Sequence, residues 1–298
     1  MAGVHRYGGQ ALIEGVMIRG ERKASIAVRC PNGEIALRCD DLNPLFTGRL
    51  RRVPLIRGVV VLIETVILGM SALNYSANVA LEQEGHEVSK GSMVIMLLGA
   101  FTFGIALFFL APLFAARGIE TLIASNVAAS NLIEGTIRLA LLIGYITLIG
   151  LLPDIRRVFA YHGAEHMTVH AQEDGVPLEV PSVRNYPTAH PRCGTAFLLV
   201  VMVIAVVVFA LLGRPSLVWS IVSRILLVPV IAGISYEIIR FSGYHSHRPL
   251  VRLITAPSLA LQRLTTRQPE DSQIEVAIQA MKQAIDADKT FSSPATPG

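Results

Sequence analysis

The spacing of apolar positions changes character along the chain. Through residues 24–29 and 34–38 apolar and polar side chains alternate with period two, on either side of Cys30-Pro31-Asn32-Gly33. The Asn-Gly step in that segment suits the positive φ angles of a tight hairpin turn, so residues 1–52 are predicted to form a small β-rich unit. Glycines at 8, 9, 15 and 20, interleaved with Gln10, Glu14 and Arg19, point to tight turns or close approach of backbone to a neighbour. From 53 to 81 the pattern becomes helical and mostly apolar, with Arg57 and Glu64 on nearly one face and Asn74 and Asn78 near its end. Charges inside such a run suit an interfacial or re-entrant helix, or one packed within a bundle. A polar connector follows at 82–90.

Four further apolar runs, at 92–116, 134–152, 196–212 and 217–239, approach the roughly 20 residues that a helix needs to cross a hydrocarbon core. The last two are joined by the short turn Gly213-Arg214-Pro215-Ser216, and the middle two by a long polar loop, 153–195. Residues 270–288 place Ile274, Ile278, Met281 and Ile285 on one helical face, with Ser272 and Glu275 spaced as a capping box. The expected architecture is mainly α. It is an integral membrane helical bundle of about four transmembrane helices plus a re-entrant or interfacial helix, with a small N-terminal β unit on the cytoplasmic side. The expected divisions are 1–52, the β-rich unit; 53–91, the interfacial or re-entrant helix and connector; 92–267, the bundle; and 268–298, an amphipathic helix and disordered tail.

Composition agrees with a membrane location. Of 298 residues 52% are hydrophobic and 16% charged, against about 25% charged in ordinary soluble domains. The net charge of +4 fits arginines gathered at cytoplasmic helix ends, so no nucleic-acid partner is expected. Arg49, Arg51 and Arg52, the 153–195 loop and the segment from Arg240 onward define one positive side, which places both termini in the cytoplasm if residues 53–81 do not cross. Cys30, Cys39 and Cys193 are too few and scattered for a disulfide framework. Residues 1–20 lack the pattern of a secretory signal, so no processing is expected there.

The sharpest chemical signal is Tyr161-His162-Gly163-Ala164-Glu165-His166. On a helix, His162 and His166 lie on one face, one turn apart, and can share a Zn²⁺, with Glu165 placed as a base for its bound water. This H-x-x-E-H order is that of inverted zinc peptidases. A third protein ligand is needed, and Glu237, His190, Cys193 and Glu173 are the candidates; Glu237 is favoured by analogy with the distant helical glutamate of those enzymes. The plainer alternatives are solvated or headgroup-binding histidines, a Glu237–Arg240 ion pair, and a small buried Cys193 with Arg192 as a membrane-surface anchor. Arg138 and Arg224 are expected to snorkel from their spans, and His245 with His247 forms an unspecific second pair.

The sequence resembles the YqhQ-like family of uncharacterised bacterial multi-pass membrane proteins, often described as predicted metal-dependent enzymes. The resemblance runs nearly end to end. It is carried by Gly8-Gly9-Gln10-Ala11, Glu14-Gly15-Val16-Met17-Ile18-Arg19-Gly20, the 161–166 motif, His190-Pro191-Arg192-Cys193-Gly194, Ser235-Tyr236-Glu237 and Leu261-Gln262-Arg263-Leu264-Thr265-Thr266-Arg267. Met167 stands where the family pattern has Lys, and Asn185-Tyr186 where a more polar residue is common. The resemblance implies residence in the bacterial inner membrane. The resulting expectation is a zinc-dependent hydrolase facing the cytoplasm at the bilayer surface, acting on a membrane peptide or lipid. The competing expectations are a transporter or channel component, with Arg57, Glu64, Arg138, Arg224 and Glu237 along a polar path, or a scaffold with a structural metal.

Overall fold

A computed structural model of the protein describes residues 7–43, 48, 53–80, 90–120, 127–213, 216–245 and 248–292. Arg49, Arg51, Arg52, the 82–89 connector, Arg214, Pro215, His247 and the 293–298 tail lie outside the described residues.

The chain opens with an antiparallel meander of β1 (Gly8–Leu12), β2 (Gly15–Arg19), β3 (Lys23–Arg29) and β4 (Ile35–Asp41), in the order β1-β2-β3-β4. The predicted hairpin joins β3 to β4: Gly33 has φ of 89°, its amide donates to the Cys30 carbonyl at 2.9 Å, and the Asn32 side chain accepts from the Glu34 amide at 3.0 Å. Side-chain alternation sorts the sheet into two buried faces. Met17, Ala24, Ile26 and Val28 face α1 (Ile56–Ala80), meeting Leu68, Ala72, Tyr75 and Val79. Val16, Ile18 and Ala27 face α5 (Pro153–Glu173) and α11 (Asp271–Ser292), meeting Tyr161, Ala164, Ile274, Ile278 and Met281. Each of these aliphatics contributes about 1.5–3 kcal/mol of burial, and the arrangement seats α5 firmly on the sheet.

Between α1 and α5 come α2 (Lys90–Ile105), which continues through one wide turn at 106–110 into α3 (Ala111–Glu120), and α4 (Val127–Ile149). After α5 come the short α6 (Val180–Val183), then α7 (Gly194–Leu212), α8 (Leu217–Leu226), α9 (Val228–Tyr244) and α10 (Pro249–Thr265). Among the described residues, four helical stretches are long and apolar enough to cross a membrane, Ile56–Ala80, Val94–Glu120, Ala129–Ile149 and Gly194–Leu212, and a fifth is counted if the bent pair Leu217–Leu226 and Val228–Tyr244 is one span.

Two places sharpen the sequence expectation. The 53–81 segment, left open as interfacial, re-entrant or packed within the bundle, contains one unbroken helix of 25 residues, which rules out a re-entrant break and leaves the other two readings. Its embedded charges do not break it because both are paired. Glu64 accepts from Arg19 of β2 at 2.8 and 3.0 Å, and Arg57 binds Glu237 of α9. Conversely, the expected last span is two helices bent by 46°, with Pro229 at the start of α9, where its missing amide cannot continue the α8 ladder. The 153–195 stretch is not mainly loop, since α5 occupies half of it.

Arg138 and Arg224 do not snorkel. Both are buried on Glu134, Arg138 at 2.7 Å and Arg224 at 2.7 and 2.9 Å, with the Phe209 ring 5.3 Å from the first guanidinium carbon and 4.6 Å from the second. Bidentate geometry and aromatic faces offset part of the cost of burying such charges. At the C-terminal helix, Gln273 rather than Glu275 reaches back, accepting from the Glu270 amide at 3.0 Å, because Glu275 is engaged by Arg29 at 2.7 Å.

Candidate metal centre

Helix α5 carries the site, and its position is set by contacts at its ends and side. Glu14, in the β1–β2 turn, binds Arg157 at 2.6 Å and accepts from the Tyr161 hydroxyl at 3.2 Å. Gly163 lets the chain after α10 pass close by; a Cβ there would sit 2.2 Å from the Arg267 carbonyl oxygen. That approach is fixed by the Arg267 amide donating to the Phe159 carbonyl at 2.9 Å. It brings the Thr265 carbonyl within 2.9 Å of His162 Nδ1. One turn along, His166 Nδ1 lies 2.7 Å from the Thr188 carbonyl. A carbonyl oxygen only accepts, so both Nδ1 atoms carry hydrogen and both Nε2 atoms present lone pairs, the arrangement that orients metal-ligating histidines.

The third donor is Cys193. It caps the N-terminus of α7, where its sulfur meets the Thr195 hydroxyl at 2.8 Å and lies 3.2 Å from His162 Nε2. The ligand atoms of His162, His166 and Cys193 all fall within 4.8 Å of one another. Cys193 is held there by its own segment: Gln262 of α10 accepts from the His190 amide at 2.8 Å and donates to the His190 carbonyl at 2.9 Å. The Leu261–Arg267 segment is thus the scaffold for both His162 and Cys193.

Glu165 points to the sheet side of the same place. Its carboxylate accepts from the Gly9 amide and lies 3.9 Å from His166 Nε2. Gly9 permits this, since a Cβ would stand 2.9 Å from the Glu165 side chain and 2.4 Å from the Met17 carbonyl oxygen. Burial raises the Glu165 pKa above the usual carboxylate range, against the opposing pull of His162 and His190. Burial lowers the pKa of His166, keeping that imidazole neutral. Two imidazoles and a thiol with converging donor atoms are of the kind that can hold a transition-metal ion.

A second group, His170, Glu173 and His190, also brings its donor atoms within 4.8 Å. The sequence reasoning overlooked His170, although it continues the 162/166 spacing by one more turn. Here His190 and Glu173 are already committed, and only His170 keeps a lone pair, on Nδ1. His170 Nε2 donates to the Ala189 carbonyl at 3.0 Å, His190 Nδ1 accepts from the Arg192 amide at 3.2 Å, and Glu173 binds Arg192. His190 therefore carries its hydrogen on Nε2, which lies 3.5 Å from Glu173. Of the residues singled out for metal, then, His162, His166 and Cys193 converge, His190 belongs to this neighbouring network, and Glu237 is elsewhere. Glu237 accepts from Arg57 at 2.6 Å and from the Leu55 amide at 3.1 Å, so its partner is Arg57 rather than Arg240 or an ion.

The fold and the site together define a helical protein with helices long and apolar enough to cross a membrane, a sheet-backed face and a candidate metal-binding group of histidine and cysteine. The chain belongs to the family described as protein of unknown function DUF1385, whose model matches residues 53–287. It is 33% identical over 293 residues to the uncharacterized protein YqhQ of Bacillus subtilis (strain 168), covering 94% of this chain and 92% of that protein. No solved structure matches.

Proposed function

We propose that the protein is a membrane-inserted, zinc-dependent hydrolase whose site faces the cytoplasm at the bilayer surface, acting on a membrane peptide or a lipid. The observation that carries this reading is the convergence of three donor atoms with both histidine tautomers fixed by main-chain carbonyls, beside a buried carboxyl. His162, His166 and Cys193 would hold the ion, which supplies Lewis-acid polarisation of the scissile group and activation of water. Glu165 takes a proton from the attacking water and returns it to the leaving group, a role suited to a carboxyl whose pKa burial has raised. The Gly9 amide holds that carboxyl in place. The sheet and the C-terminal helix pack on one another, so the first and last ordered elements share one side of the molecule, consistent with both termini being cytoplasmic.

Transport is the weaker reading. The charges that would line a path are consumed in local pairs, Arg57 with Glu237, Arg19 with Glu64, and Arg138 and Arg224 with Glu134. The test of the hydrolase reading is elemental analysis of full-length protein purified in detergent. About one zinc per chain in the wild type, lost in His162→Ala/His166→Ala, supports it; a metal-free wild type that is folded removes it.

A further inference from the structure

The two edges of the sheet are built differently. β4 carries Arg38, Asp40 and Asp41, charges that discourage another chain from pairing along it. β1 reads Gly8-Gly9-Gln10-Ala11-Leu12, with no charge, proline or bulge, and no strand lies beyond it among the described residues. Gly8 and Gly9 are exposed, and a Cβ at Gly8 would meet nothing within 4 Å. An edge without such protection is a template for pairing with a further strand.

The ladder fixes which groups of β1 face outward. The Arg29 amide donates to the Glu14 carbonyl at 2.7 Å and the Gly20 amide to the Lys23 carbonyl at 2.8 Å, so Val16 and Ile18, between them, also turn their main-chain groups to β3. Gly15, Met17 and Arg19 are left for β1, where they face Leu12, Gln10 and Gly8. The amides and carbonyls of Gly9 and Ala11 therefore point away from the sheet. The Gly9 amide is taken by the Glu165 carboxylate, and the Ala11 amide and carbonyl are the next donor and acceptor along the same edge. Helix α5 overhangs this edge. Glu165 stands 3.9 Å from His166 Nε2, and at 3.6 residues per turn His162 and His166 both project within about 100° of it. One carboxylate thus joins the open edge to the metal group.

We infer that β1 receives an extended peptide as a further strand, paired through the Ala11 amide and carbonyl, whose backbone then passes Glu165 and the Nε2 atoms of His162 and His166. This rests on the hydrolase reading for cleavage of that strand, but not for its pairing, and it makes a peptide rather than a lipid the substrate. A strand added about 4.8 Å from β1 turns an N–H and a C=O toward the sheet at every second residue. That pattern matches the Ala11 pair and the Gly9 carbonyl, whereas an acyl chain offers neither donor nor acceptor. Because Glu165 occupies the Gly9 amide, the pairing runs out there, and the peptide bond that follows is the one set before the metal group.

The test uses full-length protein in nanodiscs and a synthetic peptide of alternating Thr and Val. Hydrogen exchange at the Ala11 amide is expected to slow by at least about tenfold when the peptide is added. The same peptide N-methylated on one alternate set of residues should lose this protection, and on the other set should keep it, because only one set turns its N–H groups to β1. Ala11→Pro removes an outward amide without touching the β1–β2 ladder, and is expected to abolish peptide binding with metal content unchanged. The methylated peptides test the pairing even if that variant does not fold. No protection of β1, protection confined to β4, or no difference between the two methylated peptides overturns the inference. Zinc is measured on the same samples. Pairing without zinc keeps the added strand and removes the hydrolase, while zinc without pairing overturns the strand and leaves the hydrolase reading with a lipid substrate.

Discussion

Helix α5 presents three histidines at successive turns, and the groups at its two ends use the same residue types to different effect. At the His162 and His166 end, main-chain carbonyls take both Nδ1 hydrogens, and the Nε2 lone pairs face the Cys193 sulfur. At the His170 end, a carbonyl takes the Nε2 hydrogen, His190 is turned so that its Nε2 keeps a hydrogen, and the Glu173 carboxylate is held by Arg192. Spacing and residue identity are nearly alike. What separates the two groups is their partners: His162 and His166 both keep a lone pair toward the Cys193 sulfur, whereas beside His170, whose Nδ1 also keeps one, His190 spends its lone pair on the Arg192 amide and Glu173 is held by Arg192.

That contrast is most strongly broken by removing donors at the first end. His162→Ala/His166→Ala should reduce bound metal from about one per chain to background by elemental analysis, with the protein still folded by near-ultraviolet circular dichroism. Glu165→Gln should keep the metal but lower hydrolytic turnover by about 10²- to 10⁴-fold, the range for loss of a general base; unchanged turnover would remove Glu165 from the chemistry. Gln262→Leu should weaken metal binding by about 10- to 100-fold, as loss of an outer-shell support does, and destabilise the protein by about 1–3 kcal/mol for each His190 main-chain group left unpaired, measured by competition with a chelator and by thermal unfolding. Least affected should be His170→Asn, which sharpens the contrast: metal content unchanged, with a stability change near 1 kcal/mol for one lost hydrogen bond. Loss of metal in that variant would mean that the second group is the ligand set.

The same comparison carries a pH dependence. His166, His170 and His190 all have pKa values lowered by burial, so the unfolded chain binds more protons than the folded one below the ordinary histidine value near 6.5. Stability of metal-free protein should therefore be full above about pH 6.5 and fall on acidification below it. Glu165, raised, acts in the opposite sense, costing stability as pH rises above the ordinary carboxylate value near 4.3. In Glu165→Gln, which removes that opposing titration, a stability profile flat between pH 5 and 7 would contradict the burial of the three histidines.

Periodicity carried much of this architecture. The β3–β4 hairpin, the α11 face of Ile274, Ile278, Met281 and Ile285, and the 162/166 pair are local patterns, and local patterns survive into the fold. The failures were at positions decided by distant partners. Arg57 and Glu64 looked like interruptions of a span because Glu237 and Arg19, 180 and 45 residues away, do not show in the local window. Glu237 looked like a ligand for the same reason. Cys193 was named, but its pairing with His162 depends on Gln262 and Thr265, which no spacing rule connects to it. His170 was legible and was missed; a four-residue histidine period running on past His166 was signal enough.

The sheet is bound to α11 across very long stretches of chain: Arg29 meets Glu275, 246 residues on, the Glu21 amide meets Asp288, 267 residues on, and Ser25 bonds Gln283. During synthesis the face made by Val16, Ile18 and Ala27 therefore waits first for α5 and then for α11 before it is fully covered. Every intervening helix has been made by then. A chain that stops before α11 leaves part of that face exposed, with α5 lacking one of its two supports. The order of the elements thus makes the closure of an early-made sheet depend on a helix made more than two hundred residues later.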